Sequence, residues 1–322
     1  MIETVDALRE SVLIEAIAGL SSIPKNLPPW LFYDESGSAL FEKITELPEY
    51  YLTRAERSIF AERADEIISN VGHPLTIAEL GSGTASKTGL LLSAAVRRQP
   101  EVLYQPIDVS TSAVQQAVST LPMEIPGVVV RPQIANYINN SYTIERPDDG
   151  CILALYIGSS IGNFGPEEAR SILRELRKQL KKTGDAILLG VDLAPCHDKT
   201  VDQLIAAYDD AAGVTAAFNK NVLVRLNREL DANFNLDAFR HRACWNPQQS
   251  RIEMHLVSAI AQTVTIDGKR IDFAPGESIH TENSYKFTER GLIELLHESG
   301  YSAPQWFEDA DHRFAVALAY PA

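Results

Sequence analysis

Residues 75–87 read L-T-I-A-E-L-G-S-G-T-A-S-K, an apolar segment that ends on an acid and runs into a glycine turn and a helix. Gly81 and Gly83 have no Cβ, so they can adopt the backbone angles of a tight strand-to-helix turn and let a ligand approach the main chain. We expect Thr84 to cap the helix that follows. The stretch favours a nucleotide-type cofactor site, although a lone Gly-x-Gly is more often an ordinary loop turn.

Position 86 distinguishes between classes of cofactor. A dinucleotide fingerprint requires a third glycine there for close helix packing, and this chain has Ser86. A pyrophosphate is therefore not expected. The same geometry suits S-adenosylmethionine, because its sulfonium needs no phosphate cradle. The turn therefore favours S-adenosylmethionine over a dinucleotide, and methyl transfer from it would leave S-adenosylhomocysteine as the product.

A second acid follows the next predicted strand. Residues 102–108 form a short apolar segment that ends on Asp108, 27 residues after Gly81. At the carboxyl end of the second strand of a doubly wound sheet, a carboxylate accepts hydrogen bonds from ribose hydroxyls. Asp108 could equally cap a helix that begins near Ser110, and one turn can serve both purposes.

The order of the remaining segments predicts the fold class. Further apolar segments at 128–134, 152–157 and 186–193 alternate with helical ones, which is typical of an α/β protein with a doubly wound, Rossmann-like parallel sheet. Beyond residue 195 the alternation stops, and strand-like segments indicate a second, smaller α+β domain that binds the substrate. We expect an N-terminal helical part at 1–60 that contributes to the substrate site, a cofactor domain at 61–195 and 287–322, and an inserted substrate-binding domain at 196–286.

The N-terminal part carries one further local signal. Thr53 and Glu56 have the spacing of a capping box, which predicts a helix that continues to Ile68.

Composition limits the class of protein. The chain has 322 residues, 45% of them hydrophobic, and a net charge of -14, which disfavours nucleic acid and anionic membranes as partners. The three cysteines are odd in number and lack metal-ligand spacing, so we expect reduced thiols and no metal. The N-terminus is acidic and no apolar run reaches membrane-spanning length. We expect a cytoplasmic monomer that acts on a small molecule.

Seven motifs, in this order, carry a resemblance to a known family. They are Y-D-x-x-G-S-x-L-F at 33–41, L-P-E-Y-Y at 47–51, A-E-L-G-S-G-T-A-S-K-T at 78–88, G-S-S-I-G-N at 158–163, A-Y-D-D-A-A-G-V-T-A-A-F-N at 207–219, R-I-E-M at 251–254 and T-E-N-S-Y-K-F at 281–287. Over essentially its whole length the chain resembles the histidine-specific Nα-methyltransferases that begin ergothioneine biosynthesis. The resemblance implies a class I methyltransferase fold and the S-adenosylmethionine-dependent trimethylation of the α-amino group of free L-histidine to hercynine.

The resemblance also implies roles for individual residues. Tyr50 matches the residue beside the reacting amine, and Met254 is expected to pack near the imidazole. The family has Asp-Phe where this chain has Asn136-Tyr137, so the contact with adenine departs from the family pattern. The implied cofactor contacts are Tyr33, Gly81, Lys87, Asp108, Asn136 and Tyr137. The implied substrate contacts are Tyr50, Gly158, Asn163 and Tyr208 at the amino and carboxylate ends, and Glu282, Ser284 and Met254 at the imidazole.

Taken one at a time, several of these residues have simpler interpretations. A glutamate in a strand usually faces solvent, Met254 on its own is typical of core packing, and Asn163 follows a glycine as turn residues do. The joint occurrence of the motifs favours the functional interpretation. Two alternatives remain: an Nα-methyltransferase for another amino acid or a small peptide, and a non-catalytic module that senses a ligand.

Overall fold

A computed structural model describes residues 5–85, 87–139, 142–147 and 150–322. The chain forms two compact units: a larger one of Tyr51–Lys199 with Tyr285–Ala322, and a smaller one of Met1–Tyr50 with Thr200–Ser284. The N-terminal segment therefore groups with the inserted segment and not as a separate part. The pairing of Lys25 with Ile279 on neighbouring parallel strands accounts for this grouping.

The two units are built from nine helices and fourteen strands within the described residues. In chain order these are α1 (Val5–Ser21), β1 (Lys25–Asn26), α2 (Glu35–Glu46), α3 (Leu52–Ser69), β2 (Leu75–Leu80), α4 (Thr88–Val96), β3 (Val102–Asp108), α5 (Thr111–Glu124), β4 (Val128–Val130), β5 (Gln133–Ile134), β6 (Cys151–Tyr156), α6 (Pro166–Gln179), β7 (Ala186–Asp192), α7 (Val201–Ala206), α8 (Val214–Glu229), β8 (Phe239–Asn246), β9 (Arg251–Ser258), β10 (Gln262–Ile266), β11 (Lys269–Phe273), β12 (Ser278–Tyr285), α9 (Glu289–Glu298), β13 (Gln305–Glu308) and β14 (Phe314–Ala319). Short 3-10 turns lie at Pro29–Phe32, Tyr137–Asn139, Ser160–Asn163 and Leu236–Ala238.

The larger unit contains the doubly wound sheet. Its strands run in the order β13-β14-β7-β6-β2-β3-β4, with β5 also paired to β3. The strands from β7 to β4 are parallel, and β13 and β14 are antiparallel to their neighbours. From β2 the chain builds outward through β3 and β4, and it then returns to place β6 on the other side of β2. This reversal makes the carboxyl ends of β2 and β6 the topological switch point, where such sheets bind ligands.

The central strands of this sheet are buried along their whole length. Every residue of β2, β6 and β7 is buried, as expected for parallel strands that are covered by helices on both faces. Helix α6 covers the sheet with Ala169, Ile172, Leu173 and Leu176, which recur at helical spacing. The apolar segments of the sequence are thus the core of this unit.

The smaller unit has an α+β architecture. Its four-stranded sheet has the order β1-β12-β9-β8, and β10 and β11 form a separate antiparallel hairpin. Strand β9 alternates between buried and half-buried residues, with Ile252, Met254 and Leu256 on the buried side. Helix α8 packs on this sheet and on α2.

Three local predictions differ from the structure. Helix α4 begins at Thr88 and not beside Thr84, because Gly81, Gly83 and Ala85 all have positive φ and the turn is longer than a single cap. The predicted third strand is split into β4 and β5. The dipeptide between them ends in Pro132, which has no N–H to donate to a ladder.

The capping box at the start of α3 is also absent. The helix begins at Leu52, and its N-cap Tyr51 makes no side-chain capping bond. Glu56 instead lies on the buried face of α3 with Leu52, Ile59 and Phe60. None of the described helices is both long and apolar enough to cross a membrane.

Candidate active site

The glycine turn after β2 has the backbone geometry that the sequence indicates. Gly81 and Gly83 have φ values of +67° and +50°, a region in which L side chains are strained. The Gly81 N–H donates to Ile107 O at 2.8 Å, which joins the turn to β3. A Cβ at Gly83 would meet no atom within 4 Å, so the main chain is open to a ligand there.

Asp108 closes the turn from the neighbouring strand. Its Oδ2 accepts from the Gly83 N–H and its Oδ1 from the Ser110 N–H, each at 2.8 Å. The carboxylate is buried, and burial raises its pKa although the backbone N–H groups oppose this. Asp108 therefore holds both the glycine turn and the start of α5. Each carboxylate oxygen can accept more than one hydrogen bond, so Asp108 keeps acceptor capacity for a ribose hydroxyl.

Tyr137 lies over the same turn. A Cβ at Gly81 would be 3.6 Å from the Tyr137 ring and 3.7 Å from its hydroxyl. The ring packs edge-on against Tyr156, with centroids 5.6 Å apart, and burial raises the pKa of Tyr137 to about 12. The preceding Asn136 accepts from the Ile138 N–H at 3.1 Å through Oδ1. Tyr137 thus presents a neutral aromatic surface at the turn.

Lys87 and Gly158 are brought together by Glu56, for which the sequence indicated only a helix cap. The Lys87 ammonium pairs with Oε2 of Glu56, and Oε1 of Glu56 accepts from the Gly158 N–H at 2.8 Å. A Cβ at Gly158 would lie 3.2 Å from Lys87 Nζ. The Glu56 carboxylate is fully buried, and Gly190 leaves room for it because a Cβ there would be 2.1 Å from Oε1. The sequence signal that could have indicated a buried role for Glu56 is its position on the apolar face of α3.

Asn163 ends the turn that follows Gly158. Ser159, with φ +59°, leads into the 3-10 turn Ser160–Asn163. The turn is tightly placed, since a Cβ at Gly162 would be 2.8 Å from Tyr285 O. Gly158 and Asn163 therefore share one constrained loop that follows β6. Strand β6 is the neighbour of β2, which leads into the glycine turn.

In the smaller unit, the side chains of Tyr208 and Ser284 form a hydrogen bond with each other. Their hydroxyl oxygens are 2.7 Å apart, and both side chains are buried. The Tyr208 ring packs edge-on against Tyr50 at 6.3 Å, and Tyr50 packs against Phe41 at 6.3 Å. Tyr33, for which the resemblance implies a cofactor contact, belongs to this aromatic group, 5.8 Å from Phe41.

His241 holds the backbone of Tyr208, and Asn219 holds the His241 ring. His241 Nε2 donates to Tyr208 O at 2.8 Å, and His241 Nδ1 accepts from the Asn219 amide at 2.8 Å. Burial lowers the pKa of His241, in agreement with a neutral ring that donates through Nε2. Sequence reasoning named neither residue, although Asn219 closes one of the quoted motifs.

Glu282 and Ser284 are two residues apart on β12, so their side chains lie on the same face of the strand. Glu282 is buried, with an exposed fraction of 9%. Met254 is buried on the adjacent strand β9, and its carbonyl accepts from Thr281 Oγ1 at 3.0 Å. A buried carboxylate and a hydroxyl on one strand face can bind a planar group that offers N–H donors.

One group of described residues has the composition of a metal site. Ligand atoms of Cys244, Glu253 and His255 lie within 4.8 Å of one another. The Glu253 carboxylate, however, accepts from the Arg251 guanidinium at 2.6 Å and from Asn246 at 2.8 Å. Despite the opposing effect of burial, these bonds lower the pKa of Glu253 to about 2. The group is therefore explained as an ion-pair network.

Comparisons with known proteins show which family the chain belongs to. The family model described as "Histidine-specific methyltransferase, SAM-dependent" matches residues 12–321. The histidine N-alpha-methyltransferase of Mycolicibacterium smegmatis is 42% identical over 98% of this chain and 96% of its own length. The enzyme of the same name from Mycobacterium tuberculosis is 39% identical over 97% and 94%.

Solved structures match at lower similarity. The CcbJ methyltransferase of Streptomyces caelestis is 14% identical with a TM-score of 0.44, and the match covers 82% of this chain and 96% of that one. The family model, by contrast, spans nearly the entire chain, and both mycobacterial relatives are well above 30% identical. The chain therefore belongs to the family of S-adenosylmethionine-dependent, histidine-specific methyltransferases.

Proposed function

We propose that this protein transfers methyl groups from S-adenosylmethionine to the α-amino group of free L-histidine, three times in succession. The products are hercynine and S-adenosylhomocysteine, and the reaction is the first step of ergothioneine biosynthesis. The observation that carries the proposal is a buried carboxylate and a buried hydroxyl, Glu282 and Ser284, on one strand face of a chain that matches the family over residues 12–321.

For the cofactor we propose the glycine turn of the larger unit. The fit rests on the open main chain at Gly83, on the Tyr137 ring against Gly81 and on the carboxylate of Asp108. All three lie at or after the carboxyl ends of strands in the larger unit's sheet. When bound, S-adenosylmethionine supplies an electrophilic methyl group on a sulfonium. We assign Tyr33, Gly81, Lys87, Asp108, Asn136 and Tyr137 to its binding.

For the imidazole we propose Glu282 and Ser284, with Met254 packed nearby. An ionised carboxylate only accepts hydrogen bonds, and an imidazole offers one or two N–H donors, so Glu282 favours histidine over an amino acid with an apolar side chain. Ser284 can both donate and accept, which suits the other ring nitrogen. The bond to Tyr208 restricts the orientation of the Ser284 hydroxyl.

For the amino and carboxylate ends we propose Tyr50, Gly158, Asn163 and Tyr208. An ammonium ion has no lone pair, so its proton must leave before each transfer, either directly to water or through the Tyr50 hydroxyl, which passes a proton on to water. The displacement itself needs little acid-base chemistry, and the residues act mainly by placing a neutral amine in line with the methyl group. The rings of Tyr50 and Tyr208 also suit a methylated cation, which aromatic faces attract by roughly 0.5–2 kcal/mol.

We further propose that the protein acts in the cytoplasm, as a monomer, on small molecules. The net charge of -14 supports the last of these points, because it disfavours polyanionic partners.

Mass spectrometry tests the proposed substrate directly. The protein is incubated with S-adenosylmethionine and an equimolar pool of the twenty amino acids. The expected result is a gain of one, two and three methyl groups on histidine alone. Methylation of another amino acid would replace histidine as the substrate. Histidine binding by calorimetry without any mass gain would indicate a sensing module.

A further inference from the structure

A fully buried carboxylate in the larger unit serves no role in the chemistry above. Asp192 ends β7, and its oxygens accept from the Tyr51 hydroxyl at 2.9 and 3.0 Å and from Lys286 Nζ at 2.8 Å. A second ammonium, that of Lys199, donates to Oδ1. Asp192 and both lysine side chains have no exposed surface. We call Asp192, Tyr51, Lys199 and Lys286 the Asp192 clamp.

Three residues of the clamp lie next to the points where the chain passes between the two units. The chain passes from one unit to the other after Tyr50, after Lys199 and after Ser284. Tyr51 is the first residue of the larger unit at one connection, and Lys199 is the last at the second. Lys286 is the second residue of the larger unit at the third. One carboxylate thus binds a residue of the larger unit beside each of the three crossings.

The backbone of Asp192 adds a fourth attachment. Its N–H donates to Ser159 Oγ at 3.0 Å. Ser159 has φ +59° and joins Gly158 to the turn that ends at Asn163. The loop that carries two of the proposed histidine contacts is therefore bonded to the same residue as the three crossings.

The charges of the clamp argue for a role in geometry. Two ammonium groups share one carboxylate: burial alone would raise the pKa of Asp192, but Lys286 and Lys199 lower it overall. Burial lowers the pKa of Lys199 to about 8 in spite of that carboxylate. Buried ion pairs are often no more stabilising than well-packed apolar residues, whereas their directional bonds can fix a conformation. Lys199 also donates to Arg313 O at 2.9 Å, which restricts it further.

We propose that Asp192 is a positioning residue for histidine binding: through Tyr51, Lys199, Lys286 and Ser159 it fixes the chain segments that carry the histidine contacts, without touching either substrate. Tyr50 directly precedes Tyr51, and Ser284 precedes Lys286 by two residues. The inference rests on the proposed function, because it takes histidine as the ligand whose binding is affected.

The test is a comparison of two buried tyrosines in the same unit. Tyr51→Phe removes one hydroxyl from the clamp and keeps the ring, which lies 5.0 Å from Lys199 Nζ and 5.5 Å from the Arg313 guanidinium. Tyr301→Phe is the matched control, since it removes a buried hydroxyl that donates to Leu173 O at 3.0 Å. We expect Tyr51→Phe to raise KM for histidine by about tenfold, the equivalent of about 1.4 kcal/mol. Tyr301→Phe should leave that KM unchanged.

The cofactor provides the second readout. Calorimetry should find S-adenosylhomocysteine bound by Tyr51→Phe within about twofold of the parent, because the glycine turn takes no part in the clamp. Equal effects of Tyr51→Phe and Tyr301→Phe on the KM for histidine would overturn the inference, as would a matching loss of cofactor affinity. Absence of histidine turnover in the parent would instead remove the proposed function, and this inference with it.

A second pair of variants guards against a folding defect. Lys286→Met leaves Asp192 paired with Lys199, so no buried charge is left without a partner. We expect a raised KM for histidine in Lys286→Met and recovery to within about threefold of the parent in Lys286→Arg, which keeps the charge and its donors. Equal KM values in both variants and the parent would overturn the role of the clamp.

Discussion

Asp108→Asn tests whether the glycine turn is held for cofactor binding by a single carboxylate. The parent carboxylate accepts one backbone N–H on each oxygen, from Gly83 and from Ser110, at 2.8 Å. The asparagine amide can accept only one of them, and its NH2 group faces the other N–H. A hydrogen bond to a charged group contributes about 1.5–3 kcal/mol, and a buried donor without a partner adds to the loss.

The expected loss converts directly into affinity. If binding must restore the turn, the dissociation constant for S-adenosylhomocysteine should rise between about tenfold and a hundredfold. Isothermal titration calorimetry measures this without histidine. Asp65→Asn is the matched control in the same unit, because the Asp65 side chain is 73% exposed in its pair with Arg97. Binding by Asp108→Asn within threefold of the parent would refute the reasoning.

Four further predictions address the substrate site and the core. Glu282→Ala should lower kcat/KM for histidine by up to roughly ten-thousandfold, with cofactor affinity retained, because the imidazole N–H would lose its acceptor in a site built to hydrogen-bond it. A loss of only a few-fold in steady-state assays would remove the imidazole assignment. In a double-mutant cycle of histidine affinities, Tyr208→Phe and Ser284→Ala should couple by about 0.5–1.5 kcal/mol, and strict additivity would show that their 2.7 Å bond is not used. Nα,Nα-dimethylhistidine should bind at least as tightly as histidine by calorimetry with S-adenosylhomocysteine present, because the anchors at both ends persist while the methylated amine gains aromatic contacts; tenfold weaker binding would contradict this. Burial raises the pKa of Glu79 to about 7, so between about pH 5 and 7 the folded parent holds a proton there that the unfolded chain has released. The parent should therefore lose stability relative to Glu79→Gln as pH rises from about 5 to 8. Thermal melting that shows a constant difference between the two proteins would disprove the assignment.

The sheet of the larger unit was predictable because its signals are local. Leu75–Leu80 and Cys151–Tyr156 are mostly apolar and are buried along their whole length, and the turn after the first of them places two glycines at positive φ. Helix starts were less predictable. Thr84 and the Thr53–Glu56 pair carry capping signals, yet the long glycine turn and the burial of Glu56 decide where α4 and α3 begin.

The partners of the site residues depend on long-range contacts that no spacing encodes. The bond from Gly158 to Glu56 spans 102 positions, and the bond from Tyr51 to Asp192 spans 141. Asp192 ends a strand in the same way as Asp108, and nothing in the sequence around it indicates that its partners would be two lysines and a tyrosine. His241 likewise supports Tyr208 by donating to the Tyr208 backbone carbonyl, an acceptor that every residue possesses.

The measurement that tests the central claim most directly is an NMR assignment of the methylated product. The protein is supplied with S-adenosylmethionine labelled with carbon-13 in its methyl group and with unlabelled L-histidine. The account predicts that one trimethylammonium resonance accumulates on the α-nitrogen, preceded by mono- and dimethyl signals, while the imidazole stays unmethylated. Label on a ring nitrogen, on the carboxylate or on no histidine at all would contradict it.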